Sequence, residues 1–380
     1  MKTKVALIFG GRSLESDISV ITAMQVLAVL KEMDYETEPF YMCDGDFYMK
    51  GVDVISAFTP FRKEEHLKTL LLNGAFCSLK KNKIKREFRP DVAFICCHGG
   101  EGENGVLQGL LDFNGVAYCS SGVLGSAVGM DKAAAKSIFE QMLLNVLPHV
   151  VVFSEDFEKD AAGEAERAER FLGYPMIVKP ASQGSSIGIR VADDREELIE
   201  AMTVAAEFDD KMLVEEKLTD FAEVNCAAYI RQGKVVVSQT ERPLSAGDVL
   251  TFEDKYMASG KMSGGGHIIP ADVGELGDVV RSVTERVYRA MELRGVARVD
   301  FLVDKTRGKV YVNEVNTVPG SLAFYLFEPV GVSFSELIAD QIEEALERKG
   351  KGMRRKTFRT PVLELFGKGA KGAKSAKYKG

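Results

Sequence analysis

The chain has 380 residues, more than one ordinary domain contains, so its length predicts two or three domains. Hydrophobic residues make up 46% of it, enough for real cores, and no apolar run approaches the ~20 residues of a membrane span. The net charge of −7 divides into +11 for residues 348–380 and −18 for the remainder, and this acidic body argues against nucleic acid as the main substrate.

The N-terminus and the cysteines bear on the cellular compartment. The opening MKTKVALIFGG has too short an apolar stretch for a signal peptide, so export is not expected. Six cysteines are scattered without a C-x-x-C pair, which favours free thiols over a disulfide framework or a zinc site. The sequence therefore predicts a protein of the reducing cytoplasm.

The first predicted element is a strand, a turn and a helix. TKVALIFG is a short apolar strand, GGRSLESD is the turn, and a helical pattern runs from about Asp17 to Met33. This opening is typical of an α/β unit, with ligand space at the carboxyl end of the strand. The turn lacks the G-x-G-x-x-G dinucleotide fingerprint. Glu15 lies in it, and the commoner reason for such a residue is a favourable position at the positive end of the helix dipole.

A second ligand loop is predicted after residues 38–90, which indicate short strands and one helix near Lys63–Leu72. DVAFICC indicates a buried strand, and the glycine-rich loop HGGEGENG follows it. Glycine lets backbone N–H groups approach a ligand closely. His98 opens this loop, and the alternative for it is a histidine whose ring is satisfied by the backbone. Further on, Asp131 can cap the helix AAAKSIFEQ, and Lys132 alone would be a surface lysine.

A phosphate-binding segment is predicted in the middle of the chain, after an acidic amphipathic helix over 154–172 that carries no chemistry. PMIVKP indicates a strand, and ASQGSSIG is a glycine- and serine-rich turn into a second strand. Serial N–H and hydroxyl donors suit phosphate, although no Walker A pattern is present. Ser185 and Ser186 could also form a plain hairpin turn, but Lys179 beside them favours the phosphate interpretation.

The next segment combines strands with one long loop. MLVEEKL and EVNCAAYI indicate two strands, and the bland alternative for Glu223 is an exposed strand residue. Residues 250–271 are polar and glycine-rich, and so long a loop is usually functional or disordered. A tyrosine in such a loop is more often packing than catalysis. The amphipathic helix LGDVVRSVTERVYRAMELRG follows and ends at Gly295.

The centre of the prediction is the hairpin RVDFLVDKTRGKVYVNEVNTVPG. If it closes around Thr306–Arg307, side-chain alternation places Asp300 roughly opposite Glu314, with Asn316 on the same face and Arg298 beside them. Like charges across a sheet repel, and Mg²⁺, which prefers oxygen ligands, would compensate. The alternative is a solvated acidic face neutralised by lysines, but the Pro–Gly turn beside the patch favours the metal.

Several of these strings resemble, in the same order, motifs of the D-alanine–D-alanine ligase family of ATP-grasp enzymes. They are H-G-x-x-G-E-D/N-G-x-x-Q-G, M-D-K, V-K-P-x-x-x-G-S-S-x-G, E-x-K-Y and N-E-V-N-T-x-P-G, within about residues 3 to 347. The resemblance implies an α/β and α+β fold, with an N-terminal α/β domain before a two-lobed ATP-grasp fold. The implied boundaries are 1–120 for the first domain, 121–212 and 213–347 for the lobes, and 348–380 for a basic disordered tail.

The same resemblance implies an ATP site between the two lobes. The implied ATP-binding residues are Lys132, Lys179, Ser185 and Ser186 at the phosphates, Glu215, Glu216 and Leu218 at the adenine, Glu223 at the ribose, and Lys255. Asp300, Glu314 and Asn316 would hold two Mg²⁺ ions, for which Mn²⁺ can substitute.

Substrate and catalytic roles also follow from the resemblance. The implied catalytic residues are Glu15, Ser185, Tyr256, Arg298 and Gly320. Glu15 would hold the ammonium of the first D-alanine, and Arg298 with the N–H of Gly320 would stabilise the oxyanion. The implied substrate-binding residues are Glu15, His98, Arg298, Gly320, Ser321 and Tyr325. The chain departs from the family at Ser16, often a basic residue there, and in SLAFYLF after Gly320, which is usually polar.

The implied activity is formation of D-alanyl-D-alanine for peptidoglycan precursors through an acyl phosphate. D-Alanine and ATP are the implied partners, together with a second copy in a homodimer; neither nucleic acid nor a membrane span is expected. One alternative is a different acceptor, such as D-lactate, D-serine or another amino acid, motivated by the apolar stretch after Gly320. The other alternative is a non-catalytic ATP-binding paralogue. The tail, with 12 Lys and Arg against one Glu, is simplest as a solvated segment.

Overall fold

The computed structural model describes residues 2–244 and 266–353, together with Leu363. Within these residues three sheets follow one another along the chain, and helices cover their faces. The mixed helix and sheet content expected from the sequence is therefore confirmed.

The first sheet has eight strands. They are β1 (Thr3–Gly10), β2 (Tyr35–Cys43), β3 (Asp46–Met49), β4 (Leu67–Leu72), β5 (Ala75–Lys80), β6 (Lys83–Phe88), β7 (Val92–Ile95) and β8 (Ala117–Cys119). Their spatial order is β6-β5-β4-β3-β2-β1-β7-β8, with β2, β1, β7 and β8 parallel and the remaining neighbours antiparallel. Because β1 lies inside the sheet and is covered on both faces, its apolar residues run without alternation.

Three helices belong to this sheet: α1 (Ser16–Glu32), α2 (Gly100–Glu103) and α3 (Val106–Phe113). Alternate residues of β1 enter two different cores, so that Leu7 packs in the core that includes α1 and Ile8 in the core that includes α3. The helix predicted near Lys63–Leu72 is wrong. The structure has a short 3₁₀ turn, Lys63–Glu65, followed by β4, because the segment pairs on both sides with β3 and β5.

The second sheet follows helices α4 (Val123–Met130) and α5 (Lys132–Gln141). Its strands are β9 (His149–Phe153), β10 (Met176–Pro180), β11 (Arg190–Ala192) and β12 (Lys211–Glu216), in the antiparallel order β11-β10-β12-β9. Helices α6 (Ser154–Lys159), α7 (Ala161–Glu169) and α8 (Arg195–Ala206) accompany it. The single helix predicted over 154–172 is thus two helices, because Asp160 leaves the helical conformation and caps α7 by accepting from the N–H of Gly163 at 2.9 Å.

The third sheet carries the predicted hairpin. Its strands are β13 (Ala222–Arg231), β14 (Lys234–Pro243), β15 (His267–Ile268), β16 (Ala297–Asp304) and β17 (Lys309–Asn316), in the order β15-β14-β13-β16-β17. The amphipathic helix α9 (Leu276–Ala290) packs on it through Val280, Val283 and Val287, as its spacing predicts.

The chain then crosses back to the first sheet. Two 3₁₀ segments, Gly320–Leu326 and Glu328–Val330, precede helix α10 (Phe334–Met353), which contacts both β8 and β13. Among the described residues no single helix is long and apolar enough to cross a membrane. A bent pair, Gly320–Val330 with Phe334–Gly352, meets that criterion by length and composition only.

Candidate active site

The hairpin of β16 and β17 brings the predicted acidic patch together. Asp300 pairs with Glu314, and Arg298 pairs with Asn316, with a register irregularity just after Asp300. On its other side Asp300 pairs with Asn225 of β13. Three neighbouring strands therefore place Asn225, Asp300 and Glu314 in one row, because residues in register project to the same face of a sheet.

Each carboxylate of this row already has a cationic partner. The guanidinium of Arg298 binds Asp300 with two contacts, Nε to Oδ1 at 2.6 Å and Nη2 to Oδ2 at 2.7 Å. Burial opposes the charge of Arg298, but Asp300 outweighs it and raises the pKa of Arg298 above its ordinary value. The ammonium of Lys132 lies 3.3 Å from Glu314. These two cations relieve the repulsion between Asp300 and Glu314.

The donor set suits a hard cation. Asp300, Glu314 and Asn316 offer carboxylate and amide oxygens, which are the ligands that Mg²⁺ accepts. The amide oxygen of Asn316 also accepts from the N–H of Val318 at 3.1 Å, which fixes its orientation. In the described part of the chain no group of three or more His, Cys, Asp and Glu could hold a metal. A cation here would therefore depend on two carboxylates, one amide and oxygens supplied by a ligand.

A cleft lies between the second and third sheets, beside this row. The predicted site residues that line it are Lys132, Lys179, Ser185, Ser186, Glu216, Leu218, Glu223, Arg298, Asp300 and Glu314. Its other end is apolar, because Leu147, Phe221 and Leu302 line it there. A cleft with an apolar end and a cationic end suits a ligand that combines a flat ring with an anionic group.

The serine loop between β10 and β11 reaches across to the first sheet. Ser185 and Ser186 both adopt the left-handed conformation, with φ of 50° and 60°, which costs a non-glycine residue of order 1–3 kcal/mol. The hydroxyl of Ser185 donates to the carboxylate of Glu15. The backbone of Gly184 approaches Glu15 closely, because a Cβ added there would lie 2.8 Å from Glu15 Oε2 and would displace that carboxylate. Glu15 and Ser185, two of the residues that the resemblance implies to be catalytic, are therefore in direct contact.

Glu215 does not face the cleft. Its side chain is fully buried, 2.8 Å from the ammonium of Lys136 and 2.6 Å from that of Lys179. Burial opposes its ionisation, but the two lysines outweigh it and lower the pKa of Glu215 to about 2. The Glu215 side chain therefore forms an ion pair behind the cleft, which leaves its backbone for the adenine role that the resemblance implies, whereas Glu216 and Leu218 line the cleft.

His98 and Glu103 together hold the backbone of Val318, in the segment after β17, on both sides of its Cα. Nδ1 of His98 donates to the carbonyl oxygen of Val318 at 2.6 Å, and Nε2 contacts the hydroxyl of Thr22 at 2.8 Å. The carboxylate of Glu103 accepts from the N–H of Val318 at 2.8 Å and from Gly99 at 2.7 Å. Burial, reinforced by Glu15, raises the pKa of Glu103 to about 7.

These contacts change the expected role of His98. Both of its ring nitrogens are engaged within the protein, so the backbone-satisfied alternative describes it better than direct substrate binding. Burial lowers the pKa of His98, which favours the neutral ring that this arrangement requires. Glu103 and Thr22 were not predicted from the sequence, although Glu103, the second E in HGGEGENG, is part of the quoted motif.

The turn after β17 has an unusual backbone. Ser321, Leu322 and Ala323 are all left-handed, with φ of 49°, 54° and 46°. The N–H of Ser321 donates to the Thr22 hydroxyl at 3.1 Å, while Leu322 and Ala323 pack in the core shared with α1. A Cβ added at Gly320 would meet nothing within 4 Å, so open space lies beside this residue.

Tyr325 does not point a free hydroxyl at the site. Its hydroxyl lies 3.0 and 3.1 Å from the two carboxylate oxygens of Glu241, which is itself buried and paired with His267. The direct contact expected between Tyr325 and a substrate carboxylate is therefore corrected, because Glu241 occupies that hydroxyl. Lys255 and Tyr256 lie outside the described residues.

Two family models match the chain: "D-ala D-ala ligase N-terminus" over residues 4–121 and "D-ala D-ala ligase C-terminus" over residues 138–343. A D-alanine–D-alanine ligase of Chloroherpeton thalassium is 38% identical over 370 residues, covering 91% of this chain and 97% of that protein. The ligase of Thermosipho melanesiensis is 34% identical over 352 residues, 90% of this chain and 94% of that protein.

Solved structures show the same fold. The D-alanine-D-alanine ligase of Coxiella burnetii superposes with a TM-score of 0.76 at 22% identity, covering 96% of this chain and 99% of that one. The VanG D-Ala:D-Ser ligase of Enterococcus faecalis has a TM-score of 0.75 at 25% identity, covering 90% of this chain and 99% of that one. The expected fold, an N-terminal α/β domain followed by a two-lobed ATP-grasp fold, is confirmed.

Proposed function

Because this chain belongs to the D-alanine–D-alanine ligase family, a family of ATP-dependent ligases, we propose that it joins two D-alanines through an acyl-phosphate intermediate. The observation that carries the proposal is the row of Asp300 and Glu314 beside the lysine-lined cleft. Carboxylate and amine do not condense unaided in water, so one partner must be activated, and a site for anionic phosphate next to oxygen ligands supplies that activation.

ATP is placed in the cleft between the second and third sheets. The phosphates lie at Lys132, Lys179 and the left-handed serines, where donors and cations converge. The adenine lies at the apolar end near Leu218, and Glu223 faces the ribose. Lys255 and Tyr256 remain predictions from the sequence for closing this site. We place the domain limits at 1–120, 121–212 and 213–347, although α10 continues to Met353.

Asp300, Glu314 and Asn316 would hold Mg²⁺, since their oxygens fit it in type and in register. The bound ion would neutralise the developing charge on the transferred phosphoryl group. In the described structure Arg298 and Lys132 already offset the charge of these carboxylates. The same two cations line the cleft and can turn toward phosphate oxygens when another positive charge replaces them at Asp300 and Glu314.

The reaction follows from this arrangement. A carboxylate oxygen of the first D-alanine attacks the γ-phosphorus of ATP, and the bond to ADP breaks. The amine of the second D-alanine, after losing a proton, attacks the carbonyl of the acyl phosphate and expels phosphate. Arg298 and the N–H of Gly320, beside open space, stabilise the oxyanion of the tetrahedral state. Glu15 pairs with the first ammonium, and Ser185 holds Glu15 in place.

A phosphate-release assay tests the proposed activity. The purified chain, with ATP and Mg²⁺, is offered D-alanine alone and then D-alanine with D-serine, D-lactate or L-alanine. Release with D-alanine alone, together with D-alanyl-D-alanine seen by mass spectrometry, is the expected result. Nucleotide binding without phosphate release in any mixture would favour the non-catalytic alternative.

A second acceptor is the other candidate, and two observations favour testing it. Glu241 occupies the Tyr325 hydroxyl, so the carboxylate of the second substrate has one donor fewer than expected. The fold is also similar to a ligase named for D-serine. A mixed product formed faster than D-alanyl-D-alanine at equal concentrations would replace D-alanine as the second substrate.

We place the protein in the cytoplasm, where its product would enter peptidoglycan precursor synthesis. All six cysteines are free thiols, which suits a reducing compartment.

We also propose a homodimer. Helix α3 exposes Val106, Leu110 and Phe113 at helical spacing, and Phe113 is 93% exposed. Next to it, α4 exposes Leu124, so the two helices present a continuous apolar surface of the kind that interfaces use.

Replacing Phe113 by aspartate is expected to convert the dimer to a monomer. A charge at the most exposed apolar position of this surface cannot be buried without a partner. Light scattering coupled to size-exclusion chromatography measures the mass, and any fall in unfolding temperature should reflect the lost dimer contacts alone, because Phe113 packs against little in the single chain. Phe171→Asp, at another exposed phenylalanine, is the control. A wild-type monomer would refute the dimer, and a dimeric Phe113→Asp variant would refute this interface.

A further inference from the structure

Lys136 has no role in the site as described so far, yet it is among the most buried charged groups. It lies on α5 one turn after Lys132, and its side chain is 1% exposed. Its ammonium contacts Oε1 of Glu215 at 2.8 Å, while Lys179 contacts Oε2 of the same carboxylate at 2.6 Å. Lys136, Glu215 and Lys179 thus form a buried triad that joins α5, β12 and β10.

The triad combines two basic side chains with one acidic side chain. The pKa of Glu215 is lowered to about 2, and the ammonium groups of Lys136 and Lys179 both lie within 2.8 Å of its carboxylate. Burial lowers the pKa of Lys136, but the contact with Glu215 opposes that shift and favours the charged form. Lys179 is the member of the triad that lines the cleft, so its ammonium is the one that a ligand in the cleft can approach. A lysine ammonium carries three N–H donors, and Lys179 uses one for Glu215 and one, at 3.3 Å, for Asn313 Oδ1.

We propose that Lys136 is a positioning residue for nucleotide binding: it neutralises Glu215 and thereby leaves the charge of Lys179 available to a phosphate of ATP. The inference rests on the proposed function, in which Lys179 meets that phosphate. Lys136 itself cannot reach the ligand, because it does not line the cleft. It acts through Glu215, which holds the Lys179 side chain along β10 in either case.

The alternative is a purely structural brace between α5 and β12. Removing one partner from a buried ion pair destabilises a protein, so a fall in unfolding temperature would occur under both interpretations. The two interpretations differ in the net charge that each variant leaves at Lys179. Without Lys136, Glu215 and Lys179 form a neutral pair, and the attraction for phosphate falls. If Glu215 is then also made neutral, Lys179 regains its unbalanced charge although the brace is still absent.

The test compares three variants with the wild type by calorimetric titration of Mg·ADP, well below each unfolding temperature. Lys136→Met keeps the length of the side chain and is expected to weaken ADP binding by about 10- to 100-fold, the range for one charged hydrogen bond. Lys136→Met/Glu215→Gln should recover most of that loss. Lys136→Arg, which keeps the charge, should bind ADP within about threefold of the wild type.

Steady-state kinetics adds a second readout. The KM for ATP should rise in Lys136→Met while the KM for D-alanine stays constant, because the triad lies behind the phosphate end of the cleft alone. Unchanged ADP affinity in Lys136→Met, or a double variant that binds as weakly as Lys136→Met, would overturn the inference. Failure of the wild type to bind ADP would instead overturn the proposed nucleotide site, so the two failures are distinct.

Discussion

Replacement of Arg298 by alanine is expected to lower the turnover number by about 10²- to 10³-fold, the usual cost of losing one oxyanion donor. Arg298 lines the cleft and is tied to the acidic row through its two contacts with Asp300. Its charge would be used in the tetrahedral state more than in the ground state, so turnover should fall more than substrate affinity. The rate of phosphate release under saturating ATP and D-alanine measures the turnover number.

Nucleotide affinity separates this loss from misfolding. ADP binding should stay within about threefold of the wild type, because the ammonium groups of Lys132 and Lys179 remain at the phosphate end. Arg298→Lys should recover only part of the rate, since an ammonium cannot bind Asp300 with two parallel contacts. Arg307→Ala, at the exposed turn of the same hairpin, is the matched control and should leave turnover and ADP binding unchanged. An Arg298→Ala variant with near-normal turnover would remove Arg298 from the mechanism.

Replacement of Glu314 by glutamine is expected to reduce turnover by about 10²-fold or more and to raise the Mg²⁺ concentration for half-maximal activity. The substitution keeps the shape of the side chain and removes one of the two carboxylate charges that face each other across β16 and β17. It also leaves the Lys132 ammonium, now 3.3 Å from Glu314, without that partner. Mg²⁺ titration of the phosphate-release rate measures both effects.

A direct metal measurement completes the test of Glu314. Binding of Mn²⁺ in the presence of ADP, followed by electron paramagnetic resonance, should weaken in Glu314→Gln and stay normal in Glu328→Gln, whose side chain is exposed near the same segment. If Glu314→Gln retains both wild-type Mn²⁺ affinity and wild-type turnover, Glu314 is not a ligand and the hairpin site must be reassigned.

Local sequence patterns predicted the parts of the site that depend on alternation and turn chemistry. The register that places Asp300 opposite Glu314 follows from a tight hairpin and a period of two, and the structure has it despite the irregularity after Asp300. The Asp131 cap, the strand before Pro180 and the amphipathic helix α9 arise from equally local signals. Short-range chemistry suffices for these features because each is decided within a few residues.

Long-range electrostatic contacts were beyond such patterns. Lys136 was not singled out from the sequence, and only packing of α5 against β12 places it beside Glu215. His98 was expected at the substrate from the family resemblance, whereas Val318, 220 residues away, occupies its Nδ1. The helix expected near Lys63–Leu72 failed for a similar reason, since pairing with two neighbouring strands overrides a weak local preference.

In the proposed function the left-handed turn at Ser321, Leu322 and Ala323 lies beside the second substrate, and it would then constrain how acceptor preference can be redesigned. Three consecutive residues have a left-handed backbone conformation that L-amino acids rarely adopt. The hydroxyl of Thr22, on α1, stabilises it by accepting a hydrogen bond from the N–H of Ser321. The corresponding turn of a relative in which these residues are right-handed would lack the hydrogen bond to Thr22. Exchange of the second substrate would therefore require α1 and this turn to be transplanted as a unit, rather than the turn alone.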